Sequence, residues 1–206
     1  MNLLKLLLTS NGFFNDAIKN QFLKLVDGKV HEMKIAIITT ASPQKENNKY
    51  AQKAKEDFME MGIQNIHFID LEFDSPESLI QKDVIYINGG NPFNLLFHTK
   101  KSGADYILRQ LVSKNVVIVG VSAGAVLLGP NIKVVNFFTP EMDNLNTKDF
   151  SALGLTDKLV FPHYDREDLF KDKSNKTIED RLKEFETVEN CVITRLKDDE
   201  FITVEK

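Results

Sequence analysis

The chain is poor in the residues that build covalent or metal-held frameworks. Its 206 residues include one cysteine, Cys191, and four histidines. A single cysteine excludes an intramolecular disulfide and any cysteine-based metal cluster. Cys191 opens the apolar run Cys191-Val192-Ile193, so it reads as a buried structural thiol rather than a nucleophile. No apolar stretch is long enough to span a bilayer. No basic block occurs and the formal net charge is −4, so neither nucleic acid nor a membrane is an expected partner. Internal repeats, low-complexity segments and linkers are also missing. The opening run Met1-Asn2-Leu3-Leu4-Lys5-Leu6-Leu7-Leu8 is short, is interrupted by Lys5 and lacks a small-residue cleavage site, so it reads as a first strand rather than a secretion signal. Together these absences predict a soluble, cytoplasmic, single-domain protein over residues 1–206.

What is present is alternation. Hydrophobic residues make up 42% of the chain, and they fall into short strand-like runs separated by helical periods. Strands are predicted over 3–9, 34–40, 65–71, 83–87, 116–119 and 158–161, with 191–195 and 201–204 closing as a hairpin. Helices are predicted over 15–26, with Ile18, Phe22 and Leu25 on one face, and over 45–61, with Tyr50, Ala54, Phe58 and Met61 at near-i+4 spacing. Asn91 and Pro92 start another as cap and first residue. Further helices cover 104–113 and 177–188. This βαβ order implies an α/β fold with a mostly parallel sheet and helices on both faces.

One turn carries chemistry. Val116-Val117-Ile118-Val119 runs into Gly120-Val121-Ser122-Ala123-Gly124-Ala125. A strand, Gly-x-Ser-x-Gly and a helix in that order form a nucleophile elbow, which lifts the serine hydroxyl clear of the sheet. The Ala123 N–H then faces an oxyanion at a helix N-terminus. Two other strand ends lie where an α/β sheet binds its ligand. Gly89-Gly90-Asn91 can bring a second backbone N–H close to a ligand. Pro162-His163-Tyr164 holds the one histidine at a strand end. His31 sits among charges, His67 lies inside a strand and His98 inside a helix, which leaves His163 as the base that serine needs. The order Ser before His fits an α/β-type serine hydrolase.

The segments Ile87-Asn88-Gly89-Gly90-Asn91, Gly120-Val121-Ser122-Ala123-Gly124-Ala125 and Pro162-His163-Tyr164, in this order and spacing, resemble the peptidase E family, the S51 serine peptidases that include aspartyl dipeptidases and cyanophycinases. The resemblance implies a class I glutamine amidotransferase-like (flavodoxin-like) three-layer fold. It also implies a catalytic pair of Ser122 and His163, with an oxyanion hole from the N–H groups of Gly90 and Ala123. Two positions depart from the pattern. The family's acidic residue after the serine falls, by a gapless count, on Phe137. Asp143 is therefore ranked first as third catalytic member, then Glu141, then Asp198 near the late hairpin. The arginine that holds an N-terminal aspartate in aspartyl dipeptidases falls on Ile178, leaving Arg166, Lys173 or Lys176 to substitute. Strict Asp-X specificity is accordingly not expected. Asn91 and Arg166 stand as substrate-binding candidates.

The sequence thus predicts a serine peptidase of small peptides, working through an acyl-enzyme without metal or organic cofactor, as a monomer or homodimer. The competing reading is a non-peptidase relative, an esterase or small-ligand-binding protein on the same fold.

Overall fold

Apolar runs of four or five residues supply the strands of this computed structural model, which describes residues 4–26, 30–171 and 175–205. The strands are β1 (Lys5–Thr9), β2 (Lys34–Ile38), β3 (Asn65–Ile69), β4 (Val84–Ile87), β5 (Val117–Val121), β6 (Leu159–Pro162), β7 (Ile193–Leu196) and β8 (Phe201–Glu205). The helices are α1 (Asp16–Leu25), α2 (Lys49–Glu60), α3 (Pro92–Ser102), α4 (Ala104–Leu111), α5 (Ala123–Leu128), α6 (Lys133–Phe138) and α7 (Ile178–Glu189). Six strands form one sheet in the order β3-β2-β4-β5-β1-β8. All its pairings are parallel except β1 with β8. Among the described residues no helix is long and apolar enough to cross a membrane.

Alternation along each strand divides the core into two layers. Leu7, Ile35, Ile37, Val84, Tyr86, Val117 and Val119 face α1 and α2, where Phe22 and Phe58 are fully buried. There Phe13, Phe22, Phe58 and Tyr86 meet mainly edge to face, with centroids 5.1–5.6 Å apart. Leu6, Leu8, Ala36, Ile38, Ile85, Ile87 and Ile118 face α3, α4 and α5 on the other side. Burying one such side chain stabilises by about 1.5–3 kcal/mol. The result is a three-layer α/β sandwich with a mostly parallel sheet.

Four local expectations are corrected. The late strands do not form a hairpin. β8 joins β1 antiparallel, while β7 pairs parallel with β6 in a separate two-stranded sheet. The helix over 45–61 is a 3-10 turn, Lys45–Asn47, followed by α2, because Asn48 is extended and its side chain accepts from the Tyr50 N–H. The buried stripe of α2 is Ala51, Ala54, Asp57 and Phe58, leaving Tyr50 exposed. Finally, α6 has no counterpart in the expected elements. It packs Val134 and Phe138 against Phe161, Ile178, Leu182, Phe185 and Ile193, a third cluster that ties α7 to the small sheet. Leu3, placed at the start of the first strand by its pattern, lies outside the described residues.

Candidate active site

At the end of β5 the chain reverses sharply into α5. Ser122 sits at φ 50°, ψ −111°, a conformation that costs an ordinary residue about 1–3 kcal/mol. Its surroundings hold it there. The Ser122 N–H donates to the Thr9 carbonyl at 2.9 Å, and Ser122 O accepts from the Val126 N–H at 3.1 Å. Gly124 lets the helix press on β4: a Cβ there would lie 2.2 Å from the Ile87 carbonyl oxygen. The serine side chain caps nothing in α5, so its hydroxyl is free for another partner.

That partner is His163. Its Nε2 lies 3.0 Å from Ser122 Oγ. Its Nδ1 lies 2.6 Å from Asp198 Oδ1. Asp198 is buried, and its other oxygen meets Arg166 Nη1 at 3.4 Å. The carboxylate assigns the imidazole tautomer: Nδ1 carries the proton and Nε2 presents its lone pair to the serine. Two side chains fix the loops that carry these groups. Ser10 Oγ, at the end of β1, accepts from the His163 N–H at 3.1 Å and donates to Leu196 O at 2.7 Å. Asp165 Oδ1 accepts from the Asp198 N–H at 3.1 Å. Ser10 and Asp165 escaped the sequence reading because neither stands in a motif.

The acid ranked first does not reach the histidine. Both oxygens of Asp143 organise their own turn, accepting from the Leu145 and Thr147 N–H groups and the Thr147 hydroxyl. Glu141 is exposed on the 3-10 turn Pro140–Met142. Asp198 takes the place because the β7–β8 connection brings it beside His163. Asn91 is likewise engaged: Oδ1 accepts from the Phe93 and Asn94 N–H groups, and Nδ2 donates to Met142 O. It holds α3 to the loop after α6, and its side chain is committed there rather than offered to a substrate.

The N–H groups of Gly90 and Ala123 have no acceptor among the described residues. Gly90 adopts φ 142°, and a Cβ on it would lie 2.4 Å from Ala41 O, so no other residue fits this approach. A cavity of about 830 Å³ opens in front of Ser122. Gly89, Gly90, His163 and Asp198 line it near the serine, while Tyr50, Lys53, Asp57 and Tyr86 line it on the α2 side. Arg166 also lines it, but Asp168 first and Asp198 second hold its guanidinium above its ordinary pKa.

The remaining candidates lie elsewhere. His31 and His67 are exposed, the latter 3.1 Å from Lys82 Nζ, and His98 abuts Phe97 edge-on. Ile178 is 1% exposed inside the third cluster, so its side chain does not face the cavity. Lys176 pairs with Glu184 at 2.5 Å, and Lys173 lies outside the described residues. Cys191 packs half-buried at the edge of the third cluster; burial first, then Glu186 and Glu189, raises its thiol pKa. Among the described residues no three His, Cys, Asp or Glu side chains are grouped to hold a metal ion.

The family model for Peptidase family S51 matches residues 6–206. An uncharacterized peptidase of Pasteurella multocida is 33% identical over 145 residues, 66% of this chain and 68% of that protein. Another, from Listeria monocytogenes, is 30% identical over 179 residues, 84% of this chain and 83% of that one. A crystal structure of a candidate peptidase E protein from Listeria monocytogenes superposes with a TM-score of 0.77 at 26% identity, covering 98% of this chain and 95% of that one. The architecture is therefore class I glutamine amidotransferase-like, in accord with the resemblance noted in the sequence. A match running from β1 to the end of β8 admits one conclusion: the chain belongs to peptidase family S51 and is a peptidase.

Proposed function

We propose that the protein is a cytoplasmic serine peptidase that hydrolyses small peptides through an acyl-enzyme on Ser122. The observation that carries this reading is the continuous chain Ser122 Oγ–His163 Nε2 and His163 Nδ1–Asp198 Oδ1, at 3.0 and 2.6 Å. In the first half-reaction His163 Nε2 takes the Ser122 proton as Oγ bonds to the peptide carbonyl carbon. The oxyanion is held by the Gly90 and Ala123 N–H groups. The imidazolium, stabilised by Asp198, then gives its proton to the leaving amine as the C–N bond breaks. In the second half, His163 takes a proton from water, which attacks the ester carbonyl; the carboxylic acid leaves and Ser122 regains its proton. Asp198, not Asp143 or Glu141, is the third member in this scheme. The cavity of about 830 Å³ matches a short peptide, and the single cysteine agrees with a reducing compartment.

The test is labelling by a fluorophosphonate probe together with peptide hydrolysis. The wild-type protein is labelled at Ser122. Ser122→Ala abolishes labelling and lowers turnover by roughly 10⁶-fold, as expected when a triad nucleophile is removed. His163→Ala abolishes labelling too. Near-normal turnover by a folded Ser122→Ala protein overturns the serine-peptidase reading, and an unlabelled but folded wild type favours a ligand-binding relative.

A further inference from the structure

The cavity in front of Ser122 extends beyond the catalytic groups, and its α2 side carries polar atoms that the scheme above does not use. The Tyr86 side chain is 3% exposed and lines the cavity, yet its hydroxyl has no hydrogen-bond partner among the described residues. Buried tyrosine hydroxyls ordinarily find one. Gly12 keeps the space in front of it open, since a Cβ there would sit 2.5 Å from Tyr86 Oη. Asn88, 1% exposed, lines the same cavity from the end of β4, and its Nδ2 also lacks an acceptor. Two neutral donors thus await acceptors.

The surrounding charges decide which acceptor suits them. Asp57 lines the cavity and is 3% exposed. Its Oδ1 holds Lys19 and Lys53, both at 2.8 Å, and Lys19 also binds Glu60 at 2.9 Å. Two acids therefore balance two lysines. The other cation on the cavity wall, Arg166, is taken by Asp168 and Asp198. Among the described residues no lysine or arginine lining the cavity is free of an acidic partner. A substrate carboxylate would be desolvated near Asp57 without a counter-ion, which is strongly unfavourable. A neutral carboxamide avoids that cost: its oxygen accepts from the donors, and its NH₂ group can face the carboxylate. Burial first, and Asp57 second, hold the Tyr86 phenol far above its ordinary pKa, so it remains a donor.

Strand order says which half of the substrate lies there. β5, carrying Ser122, is flanked by β4 on one side and β1 on the other. His163 is anchored at the β1 end through Ser10 and must protonate the leaving amine, so the amine lies toward β1. The acyl half then lies toward β4, where Asn88 ends the strand and the Tyr86 side chain begins; the Tyr86 hydroxyl reaches from there across the pocket to Gly12 on its far wall. We propose that Tyr86 and Asn88, with Asp57 behind them, form the side-chain pocket for the acyl residue and select asparagine or glutamine there over aspartate. This inference rests on the serine-peptidase reading and names its substrate class.

The test compares kcat/KM for Asn-Leu, Gln-Leu, Asp-Leu and Leu-Leu in the wild-type protein and in Tyr86→Phe and Asp57→Asn. Wild type should favour an amide substrate over Asp-Leu and Leu-Leu by about tenfold or more, the scale set by one buried hydrogen bond made or left unmade. Tyr86→Phe should bring the amide to Leu-Leu ratio toward one, and Asp57→Asn should raise Asp-Leu relative to Asn-Leu. Tyr86→Phe removes one hydroxyl, so it remains informative if Asp57→Asn fails to fold. Where turnover is slow, calorimetric binding of the same dipeptides to Ser122→Ala gives the same ranking. A wild-type preference for Asp-Leu, or an unchanged amide to Leu-Leu ratio in Tyr86→Phe, overturns the pocket. Labelling of wild type separates the two claims: a labelled, cleaving enzyme without amide preference sinks the pocket alone, whereas an unlabelled one sinks both.

Discussion

Replacing Asp198 by asparagine changes one atom and should remove most of the activity. In the native site the carboxylate accepts at 2.6 Å from His163 Nδ1 on one side and meets Arg166 Nη1 at 3.4 Å on the other. An asparagine amide cannot serve both neighbours with oxygen. Arg166 can only donate, so it takes the amide oxygen and turns the NH₂ toward His163. Nδ1 must then accept, the ring proton moves to Nε2, and the group facing Ser122 Oγ becomes a donor rather than a base. Loss of the correct tautomer in a serine triad costs about 10⁴ in kcat, equivalent to about 5 kcal/mol of transition-state stabilisation. KM should change little, because Asp198 touches His163 rather than the substrate. The assay is steady-state dipeptide hydrolysis alongside the rate of fluorophosphonate labelling, with circular dichroism to confirm the fold. The double variant Asp198→Asn/Arg166→Leu frees the amide to rotate and should recover part of the loss. Asp143→Asn, altering a carboxylate that serves its own turn, should stay within a few-fold of wild type. Activity of Asp198→Asn within tenfold of wild type, or an equal loss in Asp143→Asn, would refute the assignment.

Three further outcomes follow from the geometry. Gly124→Ala drives a methyl to 2.2 Å from Ile87 O; urea unfolding should show a loss of about 1–3 kcal/mol or more, and an unchanged midpoint would mean the elbow relaxes freely. Ile178→Arg buries a charge among Phe138, Phe161 and Leu182, so it should lower Tm sharply without raising hydrolysis of Asp-X peptides; a stable variant with new Asp-X activity would place this side chain in the cavity after all. Arg195 bonds Glu186 and Glu179, and these bonds are the chief cause holding both carboxyls below their ordinary pKa. Depressed carboxyl values stabilise the fold above the unfolded pKa of about 4.3, and that contribution fades as pH falls through the lower folded values. The stability gap between wild type and Arg195→Met, read from urea midpoints, should therefore be larger at pH 7 than at pH 3, and a gap independent of pH would show that the arginine acts through packing alone.

How much was legible in the sequence depends on how far apart the cooperating residues lie. The elbow is a local device: Gly120 to Ala125 specify the turn, and its conformation follows from a strand on one side and small helical residues on the other. His163 was identifiable because a strand end at Pro162 places it at the rim where an α/β sheet binds ligands. The third member was not, because no short-range signal distinguishes Asp143 from Asp198. The resemblance puts an acidic residue a short way after the serine, which favours Asp143; strand pairing brings Asp198 to His163 instead. Reading 191–204 as a hairpin hid this, since it pairs β7 with β8. In the molecule the two strands part company, β7 going to β6 and β8 to β1.

That separation is what builds the site. The segment between β7 and β8 must pass from the small sheet to the main one, and His163 leaves β6 beside the same gap. Ser10 bridges it at the end of β1, accepting from the backbone of His163 and donating to the carbonyl at the end of β7. His163, the end of the strand that leads to Asp198, and the strand beside Ser122 are thus joined by a hydroxyl whose only sequence signature is its place after an apolar run. Motifs reveal residues that need a special backbone, such as Ser122. They pass over a residue such as Ser10 and rank Asp198 last, because the place of both depends on what the tertiary pairing brings within reach.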